Sequence, residues 1–94
     1  MKVTVRLGEP LKSAVGSRKM SLEVADGATV ADLLALLAEN YPRFNHEFYE
    51  REKRVTYVLF LNEEQIELEE AQKRELAEGD TLSIFMPVAG GEYG

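Results

Sequence analysis

"ATVADLLALLAENYP", residues 28–42, is the one stretch of this chain with an unmistakable helical period. Val30, Leu33, Leu34 and Leu37 recur at i, i+3, i+4 and i+7, which lines one helical face with apolar side chains. Thr29 stands at the N-cap position. Asp32, three residues on, suits the positive helix end in the manner of a capping box. Pro42 pushes Tyr41 out of helical geometry and closes the element. A helix with one apolar stripe needs one surface to bury it, so the flanking segments must build a sheet.

On the N-terminal side, "MKVTVRL" (1–7) alternates: Val3, Val5 and Leu7 point one way, Lys2, Thr4 and Arg6 the other. "RKMSLEV" (18–24) repeats the pattern with Met20, Leu22 and Val24 inward. Between them "GEPLKSAVGS" (8–17), with Pro10, Gly16 and two serines, reads as a loop joining antiparallel strands. On the C-terminal side, "RFNHEFYEREKR" (43–54) reads as a short helical turn and then a mobile basic–acidic stretch. "VTYVLFLN" (55–62) is apolar on both faces, the mark of an internal strand or of one whose outer face meets a partner. "NEEQIEL" (62–68) suggests a turn and a short edge strand, and "EEAQKRELAEGD" (69–80) a polar loop with a brief helical turn. "TLSIFMP" (81–87) is the last strand, with Leu82, Ile84 and Met86 on one side and Thr81, Ser83 and Phe85 on the other. Pro87 lacks the donor needed to continue the pairing. The order predicts a two-layer α+β sandwich: a hairpin, a helix on one face, and a last strand returning to the middle of a four- to five-stranded sheet. The other face stays open.

Bulk properties narrow the function. Ninety-four residues make one small domain, and no cysteine is present. A disulfide, a thiolate nucleophile, a cysteine-bound zinc and an iron–sulfur centre are thereby excluded for this chain. Eleven basic against seventeen acidic residues give a net charge of −6. Phosphate backbones and anionic lipid repel such a chain, so neither nucleic acid nor membrane is an expected partner, and a basic protein surface is the more natural one. Met1 leads directly into an alternating strand without a signal-type apolar run, so a cytoplasmic location is expected. His46 is the sole histidine and suits a surface or partly packed position better than a metal site. The acidic run from Glu63 to Glu78 is most simply a solvated face, and Asp80 after Gly79 shapes the entry to the last strand.

What remains is the ending, "MPVAGGEYG" (86–94). By itself the pair Gly90-Gly91 is either a working tail or a frayed terminus. The ordered series of "LKSAVGSRKMSLEVADGATVADLLALLAENYP", "FLNEEQIE" and "EGDTLSIFMPVAGG" resembles the ubiquitin-like sulfur carriers, above all the small subunit of molybdopterin synthase and its relatives in thiamine and cysteine biosynthesis. Met86 stands where many such proteins have a proline. The resemblance implies a β-grasp (ubiquitin-like) fold over residues 1–87 and a flexible tail over 88–94. It also implies a chemistry in which an E1-like enzyme, holding ATP and Mg, adenylates the terminal glycine carboxylate. Sulfur then converts the acyl-adenylate to a thiocarboxylate, which serves a sulfur-accepting biosynthetic enzyme. The chain would be a protein cosubstrate, or the small subunit of a sulfur-transfer enzyme, with no cofactor of its own.

That chemistry explains the residue types. The reacting carbon must enter the partner's site on a thin arm, and Val88 to Gly91 spans at most about 13–14 Å. Gly90 and Gly91 lack a Cβ, so a narrow channel can close around them. Pro87 limits the freedom of the arm's root, with Val88 and Ala89 following it. Gly91 is nevertheless tied in an amide to Glu92 and offers no free carboxylate. The expectation is that cleavage between Gly91 and Glu92 exposes it, by a JAMM-type metalloprotease whose zinc activates water. Parity places Val58, Phe60 and Phe85 on the open face as a partner-binding patch. Two alternatives stand: a ubiquitin-like modifier conjugated through Gly91, and a β-grasp interaction module that has no tail chemistry.

Overall fold

The computed structural model describes residues 1–50 and 57–87. Along the chain run β1 (Lys2–Leu7), α1 (Leu11–Val15), β2 (Lys19–Glu23), α2 (Val30–Asn40) and α3 (Pro42–Asn45). A single π-helical stretch, His46–Glu50, continues α3, and β3 (Val58–Leu61), β4 (Glu64–Ile66), a 3-10 helix (Leu68–Gln72) and β5 (Thr81–Phe85) complete it. The five strands form one sheet in the order β2-β1-β5-β3-β4. The last strand does return to the middle: β5 lies parallel to β1 and antiparallel to β3.

Alternation sets which side chains enter the core. Val3, Val5 and Leu7 of β1, Leu59 and Leu61 of β3, and Leu82 and Ile84 of β5 are buried against Val30, Leu33, Leu34 and Leu37 of α2. Met20 and Leu22 on the outer strand β2 are partly buried against the same cluster. The helix start is held by a full capping box: Thr29 Oγ1 accepts from the Asp32 amide at 3.2 Å, and Asp32 Oδ2 accepts from the Thr29 amide at 2.9 Å. The returning segment after the 3-10 helix locks onto that same end, with Val30 N–H donating to Arg74 O (2.9 Å) and Leu76 N–H to Ala28 O (2.8 Å).

Two segments depart from the sequence reading. Residues 8–17 are more than a loop. The Glu9 carboxylate accepts from the Ser13 amide (3.1 Å) and hydroxyl (2.7 Å), α1 forms, and Leu11 is driven fully into the core. Gly16, at φ 90°, ends it in the left-handed conformation that glycine tolerates. Five residues are too few to display a helical period, which is why the pattern hid it. Pro42 ends α2 as expected but also opens α3, because its fixed φ and missing N–H suit a first helical position. Phe44 and Phe48, placed by α3 and the π-helical stretch, are buried, and Phe48 stacks between Phe44 and Tyr57 with ring centroids 5.4 Å away on each side. The remainder of the expected mobile stretch, residues 51–54, lies outside the described residues.

Candidate functional site

The face of the sheet opposite α2 is built by the second parity of each strand. Val58 pairs with Phe85 across β3 and β5, and Phe60 pairs with Ser83 on one side and Gln65 on the other. Arg6 lies beside Ser83 from β1. Val58, Phe60 and Phe85 are half-buried, whereas Ser83 between them is only 5% exposed. The three apolar residues named from parity thus come together at the centre of one open face. Pro87, two residues past Phe85, is half-buried and follows the end of β5 directly. Val88, Ala89, Gly90, Gly91 and Glu92 lie outside the described residues.

The Phe85 ring owes its position to a residue that the sequence reading passed over. Gly8 N–H donates to Ile84 O at 3.0 Å, which brings the end of β1 against β5. A Cβ on Gly8 would sit 2.7 Å from Phe85 Cδ1, so the ring rests on the glycine backbone. The signal was present in the alternation: Gly8 follows Leu7 and therefore falls on the open-face parity, where any larger residue meets Phe85.

The entry to β5 is clasped at its other end. Asp80 accepts from the Ala77 amide (2.8 Å) and from the Asn62 side-chain amide (3.0 Å), while Asn62 Oδ1 accepts from the Thr81 amide (3.0 Å). Asn62 holds φ 57°, a left-handed conformation that asparagine tolerates better than most residues. Asp80 therefore shapes the turn, as its place after Gly79 suggested, and fixes the register of the strand that carries Phe85. His46 is exposed, with Nδ1 3.6 Å from Glu50. Among the described residues, no group of three or more His, Cys, Asp or Glu could hold a metal ion, and no helix is long and apolar enough to cross a membrane.

A five-stranded mixed sheet gripping one main helix, with parallel first and last strands, defines a ubiquitin-like β-grasp protein. The family model described as "ThiS family" matches residues 5–91, and the chain belongs to that family of sulfur carriers. The match closes on the second glycine, with Glu92-Tyr93-Gly94 beyond it. Among solved structures the chain is similar to SAMP1 from Haloferax volcanii (28% identity, TM-score 0.77, 97% of this chain and 100% of that one). It is similar also to the small archaeal modifier protein 1 from Methanosarcina acetivorans (26%, TM-score 0.73, 96% of each). A third likeness is to a chain of the BexX/CysO complex from Amycolatopsis orientalis (28%, TM-score 0.69, 95% and 99%). A search of curated protein sequences returns no match.

Proposed function

We propose that this protein is a sulfur-carrier precursor. Removal of Glu92-Tyr93-Gly94 frees the Gly91 carboxylate, an E1-like enzyme adenylates it, and displacement of AMP by a sulfur nucleophile leaves a thiocarboxylate for a biosynthetic acceptor. The observation that carries the reading is that the family match extends through the tail and stops at Gly91. The half-buried patch of Val58, Phe60 and Phe85, the last of them two residues before Pro87 in the chain, adds a surface on which the activating and accepting enzymes could seat. Cleavage after Gly91 is assigned to a JAMM-type zinc protease on the chemistry of the masked amide alone.

The test compares a chain ending at Gly91 with the full chain in ATP–pyrophosphate exchange, using the E1-like enzyme of the same genome. Exchange by the trimmed chain only, followed by the mass increase of oxygen replaced by sulfur at Gly91, is the expected result. Exchange by the full chain would move the working end to Gly94, and exchange by neither would end the carrier reading. A second reading is favoured by one observation, the likeness to a protein named as a modifier. Isopeptide-linked conjugates through Gly91, resolved on denaturing gels from the native host, would establish that role alongside or instead of sulfur delivery.

A further inference from the structure

Charge is divided unevenly along this chain. Residues 1–19 carry five basic residues against Glu9 alone, a net of +4, while residues 20–94 carry six against sixteen, a net of −10. The fold gathers three of those five basic residues at one place. Arg6 of β1, Lys12 of α1 and Arg18 before β2 line a cleft of about 270 Å³ whose other walls include Gly8, Glu9 and the Phe85 ring. None of the three cations has a carboxylate within 4.0 Å among the described residues. Glu9 is occupied by Ser13, whose hydroxyl bond is the first cause of its lowered pKa, with Lys12 and Arg18 contributing less. Arg6 also stands directly across the strand pair from Lys19, a like-charge placement that works against folding.

We propose that this cleft receives a carboxylate-bearing segment of the activating enzyme, with an apolar side chain of that segment against Phe85. The partner's identity rests on the carrier reading; the chemistry of the occupant does not. A free anion could use the cations but not the aromatic wall, which continues into Val58 on β3 and so into the apolar patch. An acidic protein segment uses both. The net charge of −6 pointed toward a basic partner, but contact is decided locally. At physiological ionic strength the Debye length is about 8 Å, so carboxylates at the far edge of the sheet are screened from this cleft while Arg6, Lys12 and Arg18 are not. Acidic docking beside Phe85 would fix the rotation of the domain on its partner and aim the segment after Pro87.

The test titrates isotope-labelled full-length protein with the peptide EEFEE and follows the amides of Arg6, Gly8, Lys12, Arg18 and Phe85. Their shifts should vanish at about 1 M salt, where the Debye length is about 3 Å. They should weaken about tenfold in an Arg6→Glu/Arg18→Glu variant whose remaining spectrum is unchanged. Equal shifts with KKFKK, or the same shifts at the same concentration of inorganic phosphate, would overturn the proposal. So would shifts that appear on removal of residues 92–94 with no peptide present, since the chain's own end would then fill the cleft. With the activating enzyme and chains ending at Gly91, the double variant should raise the half-saturating carrier concentration without changing turnover, and Lys73→Glu should change neither. If the chain ending at Gly91 supports no exchange either, the carrier reading fails while the peptide titration still decides the cleft.

Discussion

At the level of single residues, Gly8 and Asp80 control the open face without belonging to its apolar patch. A Cβ on Gly8 would come within 2.7 Å of the Phe85 ring, so Gly8→Ala must swing the ring outward. Because Phe85 is half-exposed, the ring has solvent to move into, and the expected cost is at the low end of the roughly 1–3 kcal/mol of over-packing. Thermal unfolding should therefore shift by only a few degrees, while the half-saturating concentration for the activating enzyme rises severalfold. Two carboxyls supply a pH signature. Glu64, bonded to Arg74, and Glu9, bonded to Ser13, are both more acidic in the folded protein than their usual value of 4.5. The folded state then binds fewer protons than the unfolded chain, so their contribution is complete above the unfolded value and is lost as pH falls through the lower folded values. Thermal melts should show a slope below about pH 4.5 that Glu64→Gln reduces, whereas near neutrality the substitution lowers stability slightly and leaves the pH slope unchanged. The slope is small, because both carboxylates are exposed.

At the level of elements, α1 is the piece on which the basic side of the molecule depends. It is five residues long and cannot persist on helix propensity, so burial of Leu11 has to hold it. Leu11→Ala should cost about 2–5 kcal/mol in denaturant melts, the range for a fully buried leucine that leaves a cavity. The same substitution should loosen the backbone around Lys12, seen as faster amide exchange there before global unfolding. The α3 and π-helical segment follows the same rule of burial first. Phe44 and Phe48 fall four apart on one side, and their stacking with Tyr57 holds the chain near the entry to β3. In the sequence their four-residue spacing supported only a short helical turn, because one such pair among charged residues is too brief to display a stripe.

At the level of the whole molecule, the described core closes on the last strand, through Leu82 and Ile84. Among the described residues, the buried apolar side chains run from Val3 to Ile84. A chain ending at Pro87 should melt within about 1 kcal/mol of the full chain, the scale of small surface changes. A chain ending at Asp80 loses β5 from the middle of the sheet, and with it Leu82 and Ile84, and should not fold. Calorimetry of the two truncations separates a self-sufficient platform from one that relies on its last residues.

Periodicity determined the strands, the main helix with its capping box, and the parity that sets Val58, Phe60 and Phe85 apart from the core. Those features repeat every two or every 3.6 residues, so a linear reading can see them. The diglycine pair and the residues beyond it were equally plain, since covalent order is all they require. Only the tertiary structure decided that Leu11 carries a helix into the core, that Gly8 seats the Phe85 ring, and that Arg6, Lys12 and Arg18 meet around one cleft. The burial of Leu11 and the seating of Phe85 on Gly8 depend on contacts between residues far apart in the chain, the second on the parallel pairing of β1 with β5. The three cations are gathered by the β1–α1–β2 turn and meet Phe85 only through that pairing. Pairing of that kind leaves no local period to read, because its partners are chosen by burial and not by spacing.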